Sequence, residues 1–215
     1  EGREITALGT KELRQVRGRE IAIIFQDPVG GLNPLLPIGV QVEEIITSHL
    51  PLSRKEAKRR SLELLAQMGL PDPEQLASRY PFHMSGGMCQ RVMIAMALMC
   101  EPELIIADEP TTALDVTIQA QILHLLKDLQ REFHMAMILI THDLGIVARV
   151  ADRLAVMDAG QIVETGTARE VFANHMHPYT HGLLSCIPVP GKTKRGEFLG
   201  SIPGIVPTPI GQIRG

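Results

Sequence analysis

The sequence has 215 residues, of which 45% are hydrophobic and 21% are charged, and its formal net charge at pH 7 is -3. This composition suits one globular domain, or one domain with an appendage, and it excludes a disordered or collagen-like chain. The slightly acidic balance gives no electrostatic footprint for nucleic acid, so we expect no nucleic-acid partner.

The cysteines and the hydropathy pattern bear on the compartment. Cys89, Cys100 and Cys186 form no metal-binding spacing such as CxxC, and an odd, unpaired set is typical of a reducing, cytosolic environment. No apolar run reaches the roughly 18 residues needed to cross a membrane, and no secretion signal opens the sequence. We therefore expect a soluble protein that can still dock on a membrane complex.

The first part of the chain predicts a buried strand followed by helices. An apolar run at 20–25 ends at a Gln-Asp-Pro turn, which is typical of a strand that meets a loop. Ser53 begins a helix with a capping box, and Gly69 supplies its stop signal. Asp72 and the following proline begin a shorter helix. We interpret residues 39–81 as a small helical subdomain inserted in an α/β core.

The middle of the chain alternates helices with apolar strands. The segment 86–99 is apolar nearly all round, which predicts a buried helix, and 104–107 and 135–140 read as buried strands. The helix after Asp115 carries one apolar stripe at helical spacing, namely Ile118, Ile122, Leu125, Leu126, Leu129 and Phe133. This alternation predicts a parallel sheet with helices on both faces.

The last part of the chain predicts a hairpin and a helix. The segments 153–157 and 161–164 flank Asp158-Ala159-Gly160, a hairpin signal that indicates an antiparallel β edge. Thr167 begins another helix with a capping box. From residue 188 onward the sequence is rich in glycine and proline without a clear period, which indicates a tail or extension.

Two adjacent carboxylates close the predicted strand 104–107. Asp108 and Glu109 lie where parallel α/β sheets bind ligands, beyond the carboxyl end of the strand. One carboxylate suits Mg²⁺, which prefers oxygen ligands, and the other can accept a proton from an attacking water. An Asp-Glu pair alone is more simply a solvated strand end.

Polar residues also end the neighbouring predicted strands. Gln26 follows the strand 20–25, where its amide can orient water or complete a Mg²⁺ shell. His142 follows the third strand, where it can contact a terminal phosphate, although a lone histidine is more often structural. Asp115 alone is only a helix N-cap. Polar residues at three strand ends together indicate a phosphate site.

Ser85-Gly86-Gly87 stands directly before the buried helix. A helix N-terminus with small residues exposes free backbone N–H groups and the positive end of the helix dipole. This arrangement favours an anionic ligand.

These motifs occur in one order along the chain. Gln26 with its Gln-Asp-Pro, Ser85-Gly86-Gly87, the segment 104–110, Ala113-Leu114-Asp115 and Thr141-His142-Asp143 resemble the Q-loop, signature motif, Walker B, D-loop and H-loop of the ATP-binding subunit of ABC transporters. The stretches "IIFQDP", "QRVMIAMAL", "TTALDVTIQAQIL" and "HPYTHGLL" resemble the dipeptide, oligopeptide and nickel uptake group within that family.

The resemblance implies a fold and a domain organisation. The expected fold is α/β, a P-loop NTPase-like parallel sheet core with the inserted helical subdomain at 39–81 and an antiparallel β edge. The ATPase core then covers 1–38 and 82–187. Residues 188–215 become a C-terminal extension of the oligopeptide-transporter type.

The resemblance also implies roles for the residues. Asp108 holds Mg²⁺, and Glu109 is the general base. His142 contacts the γ-phosphate of ATP, and Gln26 links the nucleotide and metal to the permease. The facing subunit's ATP meets Ser85, Gly86 and Gly87, and Asp115 belongs to the nucleotide-binding set through the D-loop.

The implied cofactors are ATP and Mg²⁺. The implied partners are a second ATP-binding subunit, identical or not, two transmembrane permease subunits and, indirectly, a solute-binding protein. The implied location is peripheral, on the cytoplasmic face of the inner membrane, and the function is ATP-driven import of peptides or nickel. The cargo itself stays open, because other subunits choose it.

Three departures from the family pattern stand out. Met84 replaces the usual leucine of the signature motif, and Cys89 stands where an arginine is expected. No GxxxxGK[ST] phosphate loop occurs in the sequence, so we expect an N-terminally truncated chain. Alone it should bind no ATP at micromolar concentration and be poorly soluble, with strand 104–107 and helix 86–99 partly uncovered.

Two other classes of protein stay open. One is an interaction module that does not hydrolyse ATP, since the phosphate loop is missing. The other is a DNA-repair or chromosome-maintenance ATPase, which shares these motifs but inserts long coiled coils before the signature motif. The short segment between Gln26 and Ser85 holds no heptad run, which disfavours the second class.

Overall fold

The computed structural model describes residues 4–112, 114–187, 200 and 202. The described part of the chain forms two compact units, which meet in the sequence between Ile140 and Thr141. Each unit contains one β-sheet. In the part of the chain that is described, no helix is long and apolar enough to cross a membrane.

The first unit contains the parallel sheet and most of the helices. Its strands are β1 (Ile21–Ile24), β2 (Leu104–Asp108) and β3 (Ala136–Ile140). Its helices are α1 (Thr10–Val16), α2 (Ile38–His49), α3 (Arg54–Gln67), α4 (Pro73–Ala77), α5 (Gly86–Leu98) and α6 (Val116–Glu132), with single 3₁₀ turns at Ile5–Ala7 and Pro81–His83. The three predicted strands and the helices predicted between them are confirmed.

The sheet has the strand order β1-β2-β3, and both pairings are parallel. Ile24 pairs with Ala107, and Ala107 pairs with Leu139, so the strands end in line. The carboxyl ends of all three strands therefore lie at the same edge of the sheet. The residues that follow β1 and β2 are consequently brought to one place.

The helices of this unit cover one face of the sheet. Ile24, Ile105 and Ala107 point into a buried cluster that α2 to α6 also line. On the other face, Ile23 is 46% exposed and Ile138 is 50% exposed. Within this unit the expectation of helices on both faces is wrong, because α2 to α6 send their apolar side chains into one cluster on one side of the sheet.

Helix α5 is buried on nearly all sides. Val92, Ile94 and Ala95 are completely inaccessible to solvent, because α2, α3, α6 and β1 pack around the helix. The expectation that this helix would be partly uncovered is therefore wrong. The expectation for strand 104–107 holds on one side only, where Leu104 and Ile106 are half-buried.

The segment between β1 and α5 forms three short helices. Ser53 caps α3 by accepting a hydrogen bond from the Glu56 N–H, and Glu56 accepts one from Ser53 N–H in return, which confirms the predicted capping box. Gly69 ends the helix with φ +70°. These helices share the hydrophobic cluster of the sheet. Their separation as a subdomain at 39–81 stays a prediction.

The second unit contains α7 (Leu144–Val150), β4 (Arg153–Asp158), β5 (Gln161–Thr167), α8 (Ala168–Asn174) and α9 (Pro178–Ser185). β4 and β5 pair antiparallel across a two-residue turn in which Ala159 and Gly160 both have positive φ, the type I′ pattern. The predicted antiparallel pair is confirmed, as a two-stranded sheet of its own. The predicted extension at 188–215 lies outside the described residues, apart from Gly200 and Ile202.

Candidate nucleotide site

The carboxyl edge of the parallel sheet brings two of the predicted site residues together. Gln26 lies two residues beyond β1, and Glu109 lies one residue beyond β2. The Nε2 of Gln26 donates a hydrogen bond of 2.8 Å to Oε2 of Glu109. Neighbouring parallel strands that end in line make this contact possible across 83 residues of sequence.

The backbone of Glu109 is held in an uncommon conformation. Its φ is +44°, in the left-handed region that non-glycine residues rarely occupy. The Glu109 N–H donates to the carbonyl oxygen of Ile140 at 2.9 Å, which ties the turn after β2 to the end of β3. Strained positions of this kind cluster at functional sites, where the surrounding structure fixes them. The turn therefore holds Glu109 out of the extended conformation of the strand.

Thr112 is a member of this site that the sequence analysis missed. Its hydroxyl donates a hydrogen bond of 2.8 Å to the same Oε2 of Glu109 that Gln26 contacts. The Thr112 N–H also bonds the Glu109 carbonyl oxygen at 3.3 Å, which closes the turn. The only signal in the sequence was a threonine three residues after the glutamate, a spacing that suits a turn. Gln26 and Thr112 together fix one oxygen of the carboxylate.

Asp108 ends β2 and is half-buried. Its carboxylate forms no hydrogen bond or ion pair with any residue that the structure describes. Among the described residues there is also no group of three metal-binding side chains. This donor set fits Mg²⁺ rather than a metal held by protein ligands alone, because Mg²⁺ commonly takes one or two carboxylates and completes its shell with water and phosphate.

The start of α5 offers hydrogen-bond donors. Ser85 is the N-cap residue, its Oγ accepts from the Met88 N–H at 3.3 Å, and its carbonyl accepts from the Cys89 N–H. Within the described part of the chain, the N–H groups of Gly86 and Gly87 have no acceptor. Two free N–H groups and a serine hydroxyl at the positive end of a helix of 13 residues fit an anionic oxygen.

The two glycines of α5 have different surroundings. A Cβ at Gly86 would lie 3.6 Å from Leu114, which is an ordinary contact. A Cβ at Gly87 would lie 2.9 Å from Cγ2 of Ile118 on α6, which is too close. Gly87 is therefore required by the packing of α5 against α6. Contact with an anionic ligand was the role expected from the sequence for both glycines.

Asp115 and His142 lie in different parts of the structure, one at the start of α6 and the other in the second unit. Asp115 is the N-cap of α6, and its Oδ1 accepts from the N–H groups of Thr117 and Ile118 at 3.1 and 3.0 Å. His142 belongs to the second unit and follows the end of β3 by two residues. Its predicted contact with a terminal phosphate stays a prediction.

Cys89 occupies a buried position in α5. It is inaccessible to solvent, and its Sγ lies 3.7 Å from the carbonyl oxygen of Pro81. Burial raises the pKa of the Cys89 thiol, so the side chain is neutral and unreactive. A neutral thiol suits this apolar position. All three cysteines are free thiols, as the sequence indicated.

Comparison with known families gives two matches along the chain. The ABC transporter family matches residues 1–112. The oligopeptide/dipeptide transporter C-terminal region matches residues 163–215.

The curated relatives include oligopeptide and dipeptide transport ATP-binding proteins. The chain is 54% identical over 207 residues to the oligopeptide transport ATP-binding protein OppD of Bacillus subtilis, which covers 96% of this chain and 58% of the relative. It is 53% identical over 186 residues to the dipeptide transport ATP-binding protein DppD of the same organism, which covers 86% of this chain and 56% of that relative. The chain therefore spans a little over half the length of these relatives.

Solved structures show the same fold. One is described as the dimeric structure of a post-hydrolysis state of the ATP-binding cassette MJ0796 bound to ADP and Pi. It has a TM-score of 0.66 and is 32% identical in sequence, and the match covers 76% of this chain and 69% of that chain. Another, cbiO1 of Clostridium perfringens, part of the ABC transporter complex cbiONQ, has a TM-score of 0.64 and 32% identity over 76% of this chain and 62% of that one. With an α/β fold of this kind and a family match over residues 1–112, this chain belongs to the ABC transporter family.

Proposed function

We propose that this chain is part of the ATP-hydrolysing subunit of a peptide importer. The observation that carries the proposal is the contact between Gln26 and Glu109 beside Asp108, at the carboxyl edge of the sheet. The proposal is supported by the similarity to oligopeptide and dipeptide transport ATP-binding proteins, which are 54% and 53% identical to this chain over the matched residues. The match of residues 163–215 to the oligopeptide/dipeptide transporter C-terminal region favours peptides as the cargo over nickel.

Glu109 is the group we propose as general base. Its Oε2 accepts hydrogen bonds from Gln26 and Thr112, which restrict how the carboxylate can rotate. Phosphoryl transfer depends mainly on positioning and charge stabilisation, so a carboxylate fixed in this way contributes by orienting the water and accepting its proton.

ATP and Mg²⁺ are the proposed cofactors. Asp108 is the proposed protein ligand of the metal, with Gln26 as a second candidate, and a bound Mg²⁺ would supply charge neutralisation at the phosphates. The proposed donors to a terminal phosphate are His142 and the start of α5 at Ser85, Gly86 and Gly87. Asp115, which caps α6, stays a proposed member of the nucleotide site through the D-loop resemblance.

The proposed assembly is a dimer of ATP-binding subunits on two membrane permeases. The exposed N-terminus of α5 suits a ligand presented from outside this chain, because Ser85 and Gly86 are on the surface. The solved MJ0796 cassette, described as dimeric with ADP and Pi, supports a second ATP-binding subunit. The cytoplasmic face of the inner membrane, and a solute-binding protein outside it, are the corresponding proposals for location and delivery of cargo.

Two other classes of protein share some of these motifs: DNA-repair or chromosome-maintenance ATPases, and interaction modules that do not hydrolyse ATP. A DNA-repair or chromosome-maintenance ATPase needs a coiled coil between Gln26 and Ser85, but this segment forms compact helices of 12, 14 and 5 residues. Measuring ATP turnover by the full-length protein distinguishes the proposed ATPase from an interaction module that does not hydrolyse ATP.

Reconstitution tests the proposed function. The full-length protein, with its genetically adjacent permease subunits and solute-binding protein, is placed in liposomes that contain Mg-ATP on the side of the ATP-binding subunit. We expect labelled oligopeptide to accumulate only when ATP is present. Absence of uptake with ATP, while the assembled complex still binds the peptide, would refute the proposal, and uptake of Ni²⁺ alone would reassign the cargo.

A further inference from the structure

A cleft of about 740 Å³ lies on the first unit, away from the candidate nucleotide site. Its lining comes from the end of α1, the turn that leads into β1, and the end of α2. The lining residues are Arg14, Gln15, Arg17, Arg19, Ser48 and His49. Among the residues that the structure describes, no aspartate or glutamate lines the cleft, whereas three arginines and one histidine do.

The three arginines of the cleft have no acidic partners in the part of the chain that the structure describes. None of Arg14, Arg17 and Arg19 forms a side-chain hydrogen bond or an ion pair with a residue that the structure describes. Glu12, the acidic residue of α1, instead accepts from the Gly9 N–H at 3.0 Å. Several other arginines of this unit are held by acceptors, as Arg59 by Glu63 at 2.7 Å and Arg60 by Glu101 at 2.8 Å.

The backbone holds the cleft in a defined shape. Gly18 has φ +81°, and a Cβ there would lie 2.8 Å from Nε2 of His49, so the turn and the end of α2 are in close contact. The Gly18 N–H donates to the Ile21 carbonyl oxygen at 2.8 Å, and Val16 is 2% exposed. Arg17 and Arg19 therefore flank Gly18 in a turn whose backbone is held on both sides, and Arg14 lies in the last turn of α1.

Helix ends alone do not explain this charge. A cation near the carboxyl end of a helix is favoured by the helix dipole, which accounts for Arg14 in the last turn of α1 and Arg17 at its C-cap. Arg19 lies beyond the end of α1, in the turn before β1, and gains nothing from either helix. Arg19 is thus a third cation in the cleft without a partner among the described residues, and an anionic ligand would balance its charge.

We propose that this cleft binds a phosphate-bearing anion. Guanidinium groups match phosphate oxygens with paired hydrogen bonds, and the Ser48 hydroxyl adds a further donor. The volume lies within the range of small-molecule sites, and the polar lining suits a multiply charged ligand rather than an apolar one. A small diphosphate and the headgroup of an anionic phospholipid share this chemistry.

The cleft is distinct from the nucleotide site. Arg17, Gly18 and Arg19 precede the amino end of β1, whereas Gln26 follows its carboxyl end. In a parallel sheet these positions lie at opposite edges. A ligand in the cleft therefore neither contacts Glu109 nor depends on it. Binding in the cleft can be tested independently of the proposed function.

Calorimetric titration of the full-length protein with inorganic pyrophosphate, and sedimentation with vesicles, test this proposal. The vesicles are equimolar phosphatidylglycerol and phosphatidylcholine, with pure phosphatidylcholine as the uncharged reference. The cleft variant carries Arg14→Gln and Arg17→Gln. The control variant carries Arg54→Gln and Lys55→Gln, which removes the same charge from an exposed part of α3. Far-ultraviolet circular dichroism verifies that both variants fold.

We expect the cleft variant to bind at least about tenfold more weakly than the control, since it loses charge-assisted hydrogen bonds. If this difference occurs with pyrophosphate, the ligand is a free anion; if it occurs only with the anionic vesicles, the ligand is a lipid headgroup. Equal binding by the cleft variant and the control, or no binding of either probe to the wild type, would overturn the proposal.

Discussion

The Nε2 of Gln26 donates a hydrogen bond of 2.8 Å to Oε2 of Glu109, although 83 residues separate them. Thr112 donates to the same oxygen from within the turn that follows Glu109. A distant amide and a local hydroxyl therefore restrict one carboxylate. The arrangement leaves Glu109 positioned by two groups that take no part in proton transfer themselves.

Thr112→Val removes the local hydrogen bond to Glu109 and keeps the shape of the side chain. We expect the turnover number of the full-length protein to fall by about tenfold while its affinity for ATP is unchanged, because one hydrogen bond to a charged group is worth about 1.5–3 kcal/mol. Thr117→Val, on the exposed first turn of α6, is the control. Steady-state hydrolysis and equilibrium nucleotide binding are measured for both. Unchanged turnover in Thr112→Val would remove Thr112 from the site.

Gly87→Ala places a Cβ 2.9 Å from Ile118 Cγ2 and should force α5 and α6 apart. We expect the free energy of unfolding to fall by about 1–3 kcal/mol, as for other overpacked sites. Gly86→Ala meets only an ordinary contact and should be neutral or slightly stabilising, since alanine favours helix. Urea unfolding compares the two variants. Adding Ile118→Ala to Gly87→Ala should recover part of the loss, and equal stability of the two single variants would refute the packing role.

The capping box of α3 makes stability depend on pH. The Ser53 hydroxyl and N–H lower the pKa of Glu56 below its ordinary value of 4.5. A carboxyl with a lowered pKa in the folded state stabilises the fold above the unfolded value, and this stabilisation is lost as the pH falls through the folded value. Glu56→Gln should therefore lower the Tm at pH 7 and have progressively less effect below about pH 4.5.

Thermal unfolding from pH 7 to pH 3 measures this dependence as the Tm difference between wild type and Glu56→Gln. In a Ser53→Ala background the same difference should be smaller at pH 7, because the Ser53 hydroxyl donates the hydrogen bond that lowers the pKa of Glu56 most. A Tm difference that stays constant across the pH range would show that the charge of Glu56 has no part in the cap.

Ser85 is proposed to act on ATP held by the facing subunit. Ser85→Arg should leave the affinity of the monomeric full-length protein for ATP unchanged and abolish ATP-driven dimer formation, because the side chain blocks the exposed start of α5. Thr47→Arg, at an exposed position of α2, serves as the control. Size-exclusion chromatography with light scattering reports the dimer. Loss of ATP affinity in the monomer would place the contact within one subunit instead.

Local features of this fold could be predicted from the sequence. The apolar run of β1, the capping box at Ser53 and the turn at Ala159 and Gly160 each depend on neighbouring residues. The motifs that end the strands likewise marked Gln26 and Glu109 as site residues. Their direct hydrogen bond depends on the strand register, which local patterns do not encode.

Contacts between distant segments could not be predicted. Gly87 of α5 lies close to Ile118 of α6. A glycine at the start of a helix does not show from the sequence which residue of another helix packs against it. The exposure of Ile23 and Ile138 on one sheet face contradicted an expectation drawn from strand hydrophobicity, because an apolar strand shows that its side chains avoid water but not what covers them. Thr112 was missed since its role depends on the positive φ of Glu109.

Glu109→Gln in the full-length protein tests the central claim most directly. The substitution keeps the shape of the side chain but removes the proton acceptor. Mg-ATP binding and the rate of phosphate release are measured together, with Glu103→Gln, at an exposed position before β2, as the control. We expect unchanged ATP affinity and a turnover lowered by about two to four orders of magnitude. Turnover in Glu109→Gln that equals that of the wild type would contradict the role of Glu109 as general base.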